Sequence, residues 1–125
     1  MNSVGIDVSK GRSTVAAMRH FGEVVISPFE VCHTDSELSE LARRLKSLDG
    51  ETRVVMEVTG NYHLPVAQAL HDAGLYVSVV NAKLVHGCGN NELRRVKTDR
   101  KDAVKLANYG LDRWIFLPRY VPEEN

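Results

Sequence analysis

The chain has 125 residues, of which 43% are hydrophobic and 26% charged, an ordinary composition for one soluble globular domain with its own core. Its formal net charge is zero. No apolar run approaches the roughly 20 residues that span a bilayer, and the N-terminus lacks the layout of a signal peptide. These features exclude a membrane-spanning protein. Cys32 and Cys88 are isolated and lack the spacing of metal ligands, so we also exclude a disulfide-rich class and predict a reduced, cytoplasmic protein.

The first part of the chain predicts three strands joined by tight turns. Residues 3–8, 13–20 and 24–31 are rich in β-branched and apolar side chains, with turn sequences at residues 9–12 and 21–23. Connections this short leave no room for a crossover helix. The three strands should therefore form an antiparallel meander.

The middle of the chain changes to helical periodicity and then to a strand–helix–strand unit. Thr34-Asp35-Ser36-Glu37 has the pattern of a capping box, apolar residues follow at helical spacing, and Asp49-Gly50 should end this helix. Residues 53–58 predict a strand buried on both faces, because polar and apolar residues hardly alternate there. A second helix, ending at Ala73, leads to a fifth strand at residues 75–80, which should run parallel to the fourth.

The C-terminal third is less regular. The glycine-rich run at residues 87–91 predicts a mobile basic loop that would let the following helix swing. Thr98 is a suitable N-cap for a helix over residues 99–108, and Gly110 should end that helix.

The end of the chain is predicted to lie outside the domain proper. The apolar run at residues 114–118 has no later element to cover it, and a Pro-rich, charged tail follows. We therefore divide the chain into a domain at residues 1–112 and a tail, or the start of a linker, at residues 113–125.

The predicted order of elements, β-β-β-α-β-α-β-α, specifies a fold class. It combines an antiparallel meander with a parallel unit in one mixed sheet of five strands, flanked by helices on both faces. That is the order of the ribonuclease H-like fold, to which RuvC-like domains belong. In that fold, acids lie on the first strand, at the end of the fourth and on the C-terminal helix.

Four acidic residues fall at those places. Asp7 and Glu57 interrupt apolar strand segments, where a carboxylate is costly unless it is paired or binds a cation. Asp99 and Asp102 are three residues apart and share one face of the predicted helix. A set of hard oxygen ligands suits Mg²⁺ (or Mn²⁺), whereas no His or Cys accompanies the acids as Zn²⁺ would favour. We predict that all four acids bind metal at one site.

Basic residues surround the last two acids. Residues 1–80 hold 7 Lys/Arg and 10 Asp/Glu, a net charge of −3, whereas residues 81–113 hold 8 and 4, a net charge of +4. A basic segment beside a metal site favours a polyanionic partner. The residues predicted to contact nucleic acid are Lys10, Lys83, Arg94, Arg95, Lys97, Arg100 and Lys101. A solvated hairpin turn at Lys10, or a solvated mixed-charge helix start, would explain the same pattern without a ligand.

Three blocks resemble one known family. Gly5-Ile6-Asp7-Val8-Ser9-Lys10, Met56-Glu57-Val58-Thr59-Gly60-Asn61-Tyr62 and Lys97-Thr98-Asp99-Arg100-Lys101-Asp102-Ala103 resemble the signature blocks of the DEDD transposases of bacterial insertion sequences. These are the insertion-sequence-one-hundred-and-ten group, relatives of the pilin-gene invertase. The blocks occur in the family's order and cover nearly the whole chain.

This resemblance implies a RuvC-like domain that binds divalent metal and DNA, in a recombinase that cuts and rejoins DNA at donor and target sites. It also implies that Asp7, Glu57, Asp99 and Asp102 are the catalytic residues of the domain. Some members use a structured guide RNA, and a homo-oligomer of two or more copies is expected. Family members also carry a second, C-terminal domain with a serine nucleophile, joined through a helical segment. This chain stops before both, so we expect it to be inactive in strand transfer alone.

Other functions remain open at this stage. A non-catalytic nucleic-acid-binding or assembly module, or a Holliday-junction-resolvase-like nuclease, would use the same fold. A phosphate loop of the sugar-kinase type is disfavoured, because Val8 and Ser9 stand where glycines are needed. Tyr62 could stack on a base or pack locally, and Thr59 and Asn61 could cap a helix. We nominate no serine nucleophile, since Ser9, Ser13 and Ser78 have no evident His or Lys partner.

Overall fold

The computed structural model describes residues 1–81 and 99–122, with the side chain of Asp99 outside that description. The predicted loop at residues 87–91 and the cap at Thr98 therefore lie outside the described residues. The described ranges contain the strands β1 (Asn2–Val8), β2 (Arg12–Arg19), β3 (Glu23–Cys32), β4 (Thr52–Glu57) and β5 (Tyr76–Val80), and the helices α1 (Asp35–Lys46), α2 (Leu64–Asp72) and α3 (Asp99–Asp112). No helix in these ranges is long and apolar enough to cross a membrane.

The five strands form one mixed sheet in the order β3-β2-β1-β4-β5. β1 and β2, and β2 and β3, pair antiparallel, whereas β4 pairs parallel with both β1 and β5. The predicted meander and parallel unit are confirmed. β4 lies inside the sheet, and its central residues Val54, Val55 and Met56 are fully buried, as its lack of alternation predicted.

Each face of the sheet is covered by helices. The main core lies between α1, α2 and the face of β1 that carries Val4, Ile6 and Val8. The opposite face packs against α3 through two smaller clusters, one around Met18 and one around Val55. Helices therefore flank both faces, as predicted.

The capping box of α1 forms with one change. The Thr34 hydroxyl accepts a hydrogen bond from the Glu37 backbone N–H at 3.2 Å, whereas the Glu37 carboxylate reaches back to the N–H of Cys32 at 2.8 Å. The prediction that Asp49-Gly50 ends α1 was slightly wrong. The helix ends at Lys46, because the Ser47 N–H already bonds to carbonyls of the last turn.

The prediction that Gly110 ends α3 was wrong, since the helix continues to Asp112. A β-carbon at Gly110 would collide with the Ser3 side chain and come within 2.8 Å of Val55 Cγ2. Gly110 thus allows α3 to lie close to the sheet. A glycine required for close packing and a glycine that ends a helix look the same in a sequence.

The segment after α3 packs on the domain, contrary to the expectation that nothing would cover its apolar residues. Trp114 and Leu117 are buried, whereas Ile115 and Phe116 are 78% and 72% exposed. The Tyr120 N–H donates to the Val77 carbonyl at 2.7 Å, which holds the chain beside β5. The division of the chain at residues 112 and 113 stays a prediction.

Candidate metal and nucleic-acid site

Asp7 and Glu57 lie side by side near the C-terminal ends of the two interior strands β1 and β4. β1 and β4 are parallel neighbours in a register that places Ile6 opposite Met56, and Asp7 and Glu57 are the next residues on the two strands. Neighbouring strands are about 4.8 Å apart, and aligned residues point to the same face. The two carboxylates are therefore neighbours on one face of the sheet, although 50 residues separate them in sequence.

α3 covers that same face and runs antiparallel to β1. A β-carbon at Gly5 would collide with the Ala103 carbonyl oxygen and lie 2.5 Å from the Ala107 nitrogen, so helix backbone contacts strand backbone there. The Ser3 hydroxyl donates to the Ala107 carbonyl at 2.6 Å. Since the later residues of α3 lie over the beginning of β1, its first turn lies over the end of β1, where Asp7 is.

Helical spacing then places Asp102 toward β4. Leu106, one turn after Asp102, packs in a cluster with Val55 and Val80. Glu57 is the second residue after Val55 on the same face of β4. Since Leu106 packs near Val55, Asp102 and Glu57 both lie beyond this contact, toward the C-terminal end of β4. Asp99 is the first residue of α3 and precedes Ala103 by one turn.

The described acids have an intermediate burial that suits ligand binding. Asp7, Glu57 and Asp102 are all partly buried, and the Oε2 atom of Glu57 is fully so. Each takes part in at least one polar or electrostatic interaction. Among the described residues, no three His, Cys, Asp or Glu side chains are grouped closely enough to hold one ion.

A row of polar residues crosses the sheet at the same level. Thr14, 3% exposed, lies directly opposite Asp7 on β2, and Glu30 lies opposite Thr14 on β3. Thr14 was not nominated from the sequence. Only the strand register reveals it, because nothing in the local sequence marks a threonine as the neighbour of a distant acid.

Three of the predicted nucleic-acid contacts are described. Lys10 is exposed in the turn between β1 and β2, and Lys101 is exposed in the first turns of α3. Arg100 is also exposed, and its Nη1 donates to the Pro28 carbonyl on β3 at 3.0 Å. A guanidinium has five N–H donors, so this bond leaves others for a phosphate. The other four, Lys83, Arg94, Arg95 and Lys97, lie outside the described residues.

The loop between β4 and α2 follows Glu57 directly and is held by hydrogen bonds. The Val58 N–H donates to the Val80 carbonyl at 3.0 Å, and the Thr59 N–H donates to His63 Nδ1 at 3.4 Å. His63 is 6% exposed, and burial lowers the pKa of its imidazole. The suggestion that Thr59 or Asn61 caps α2 was wrong, since that helix has no side-chain cap and begins after His63. Tyr62 remains 47% exposed in this loop.

One serine does have a histidine partner, contrary to the sequence analysis. Ser13 Oγ lies 2.7 Å from His33 Nε2 of the imidazole. The backbone N–H of His33 donates to the Gly11 carbonyl at 3.0 Å. Ser13 is only 3% exposed, so a substrate has little access to it. The pair ties the β1–β2 turn to the segment before α1.

The sheet order, the two helical layers and the acids at one edge define a class, the ribonuclease H-like domains of the RuvC type. The structure of Thermus thermophilus RuvC matches with a TM-score of 0.62 and 14% sequence identity, covering 96% of this chain and 100% of that chain. The structure of T. thermophilus RuvC in complex with Holliday junction substrate matches with a TM-score of 0.60 and 14% identity, covering 92% of this chain and 95% of that chain.

The sequence gives the family directly. The family model of the DEDD transposases of the IS110 type matches residues 4–124, and the chain therefore belongs to this transposase family. No curated protein matches the sequence.

Proposed function

We propose that this chain is the metal-dependent catalytic domain of a DNA transposase or recombinase. The observation that carries the proposal is that Asp7 and Glu57 lie near the ends of neighbouring parallel strands, on the face of the sheet that α3 covers. Asp7 and Glu57 are neighbours on parallel strands, and α3 brings Asp102 to the same face. Asp99 begins that helix and would complete the set of four acids.

The donor set fits Mg²⁺ or Mn²⁺. Both ions take carboxylate oxygens and keep several waters, so a few acids at an open edge suit them better than an enclosed cage would. Bound ions would neutralise the acids, which repel one another when close together, and would stabilise charge on a phosphate during displacement at phosphorus. The chain's own part is to hold Asp7 and Glu57 on rigid strands and to place the α3 acids above them.

The proposed substrate is DNA. The related RuvC structure is described as a complex with Holliday junction substrate, and the family is one of transposases. In this chain, Lys10 and Lys101 are exposed near the acids and would contact phosphates with little preference for sequence. Arg100, also exposed, would act with them.

The finer parts of the proposal follow from the family resemblance. Cutting and rejoining of DNA would require a further domain bearing the serine nucleophile, and assembly into a homo-oligomer. A guide RNA for the choice of sites is compatible with the resemblance. The second candidate function, a junction-resolving nuclease that acts without a partner domain, is favoured by the RuvC-like fold. A non-catalytic module is disfavoured, because all four acids are present.

Metal binding and DNA cleavage by matched variants test the proposal. Asp7→Asn and Glu57→Gln should each weaken Mn²⁺ binding by this chain, measured by calorimetry. In a protein that also carries the serine domain, the same substitutions should abolish metal-dependent cleavage of branched DNA. Glu30→Gln is the control, since Glu30 occupies the same cross-sheet row but two strands, or about 10 Å, from Asp7. Equal Mn²⁺ affinity in all four proteins would show that the site is wrong.

A further inference from the structure

Four side chains form an alternating stack of aromatic rings and cations at the end of the sheet opposite the acids. The Arg53 guanidinium lies 4.8 Å from the Trp114 ring and 4.2 Å from the Tyr76 ring. The Arg119 guanidinium lies 5.1 Å from the Tyr76 ring. Contacts of this length between a cation and an aromatic ring are attractive, and more so when they are partly desolvated.

Arg53 is the centre of this stack. Its side chain is 17% exposed, its Nε donates to Glu51 Oε2 at 3.0 Å, and its Nη1 donates to the Trp114 carbonyl. The Tyr76 hydroxyl donates to the Leu117 carbonyl at 2.6 Å. Arg53 and its stacking partner Tyr76 thus bind both the ring and the backbone of the segment that follows α3.

The elements joined by Arg53 are those that carry the candidate metal ligands. Arg53 is four residues before Glu57 on β4, and Trp114 is two residues after the end of α3. α3 is a helix of 14 residues, so its first turn is roughly 20 Å from its last. A contact that fixes the last turn along the helix axis also fixes the axial position of Asp102.

The contact of α3 with β1 brings helix backbone close to strand backbone. The contact is made by small residues, with Gly5 beneath Ala103 and Gly110 beside Ser3. The Ser3 hydroxyl on β1 donates a hydrogen bond to the Ala107 carbonyl on α3. The bonds from Arg53 to the Trp114 carbonyl and from Tyr76 to the Leu117 carbonyl add directional contacts just after the helix.

We propose that Arg53 is a positioning residue, which sets the axial position of α3 and so aligns Asp102 with Asp7 and Glu57. The inference rests on the proposed metal site. Partners outside the ligand shell commonly change metal affinity by about 10- to 100-fold. Arg53 would act at a greater distance than such partners, through a rigid helix, so an effect near the lower end of that range is expected.

Two readouts on the same protein test the proposal. Trp114 is the only tryptophan of the chain, so its fluorescence reports on the stack without a label. Arg53→Met keeps the apolar stem of the side chain and removes the guanidinium, and should raise the Kd for Mn²⁺ about tenfold while shifting the Trp114 emission. Arg53→Lys keeps the charge but not the planar fork of a stacked guanidinium, and should give a Kd between those of Arg53→Met and the unmutated chain.

A control separates positioning from general destabilisation. Ile26→Val lies in the core on the opposite face of the sheet, away from α3, and should lower the melting temperature without changing Mn²⁺ affinity. If Arg53→Met does not fold, Tyr76→Leu removes one face of the stack and the bond to Leu117, and should weaken Mn²⁺ binding likewise. A folded Arg53→Met or Tyr76→Leu protein with shifted emission and unchanged Mn²⁺ affinity would overturn the inference. An unmutated chain that binds no Mn²⁺ would instead overturn the proposed function, and the inference with it.

Discussion

Replacement of Gly5 by alanine tests how α3 is seated on the sheet. The added methyl group would collide with the Ala103 carbonyl oxygen, lie 2.5 Å from the Ala107 nitrogen and lie 3.0 Å from Leu106 Cβ. Two of these three atoms belong to helix backbone, so no side-chain rotation can relieve the collision. The helix as a whole must move away from β1.

The size of the effect follows from these distances. Ordinary contacts begin near 3.4 Å, so the Ala107 contact alone requires α3 to move by about 1 Å. Overpacking of a core usually costs about 1–3 kcal/mol, which corresponds to a fall in melting temperature of roughly 4–12 °C for a domain of this size. A displacement of about 1 Å in a catalytic group can reduce the rate about 100-fold.

Chemical denaturation and Mn²⁺ calorimetry of this chain, and a DNA-cleavage assay of a protein that also carries the serine domain, would measure these effects. Gly22→Ala is the matched control, because Gly22 has a φ of +76° and nothing within 4 Å of an added β-carbon. It should cost about 1–2 kcal/mol through backbone strain and leave Mn²⁺ affinity unchanged. If Gly5→Ala keeps wild-type stability and Mn²⁺ affinity, the close contact between α3 and β1 is refuted.

Three further predictions concern pH, salt and the loop after Glu57. Burial lowers the pKa of His63 below its usual value near 6.5, so the unfolded chain binds the proton more readily. The free energy of unfolding, measured by urea titration, should therefore fall as the pH drops below about 6.5. His63→Gln should reduce this dependence without abolishing it, because burial also lowers the pKa of His33, and an unchanged dependence would contradict the prediction. Each phosphate contact adds about 0.7–0.9 to the magnitude of the slope of log affinity against log salt concentration. The Lys10→Gln/Lys101→Gln double variant should therefore lower that magnitude by about 1.5. An unchanged slope would show that DNA binds elsewhere. Tyr62 is half exposed in the loop after Glu57, where its ring could stack on a base. Loss of such stacking in Tyr62→Ala should weaken binding of single-stranded DNA by about 1–3 kcal/mol in a fluorescence titration. Tyr62→Phe keeps the ring and should leave binding unchanged. Equal binding by both Tyr62 variants would favour local packing of the ring.

The local pattern of the sequence was enough to predict the elements and their order. Alternation and turn residues specified β1 to β3, and the unbroken apolar run around Val55 indicated an interior strand, which the sheet confirms. Thr34 and Glu37 marked the start of α1. These signals are short-range, because a cap or a strand face depends on residues a few positions apart. The motifs around Asp7, Glu57 and Asp99 likewise indicated the family, which the match over residues 4–124 confirms.

Contacts between residues far apart in sequence were decided only by the tertiary structure. The sequence does not show that Gly110 packs against Ser3, that Ser13 meets His33, or that Arg53 lies between Tyr76 and Trp114. Each of these pairs depends on strand register and on the distance between helix and sheet, which the packing of the whole domain sets. For the same reason, the sequence could propose Asp7 and Glu57 as partners by resemblance, but only the parallel pairing of β1 with β4 makes them neighbours.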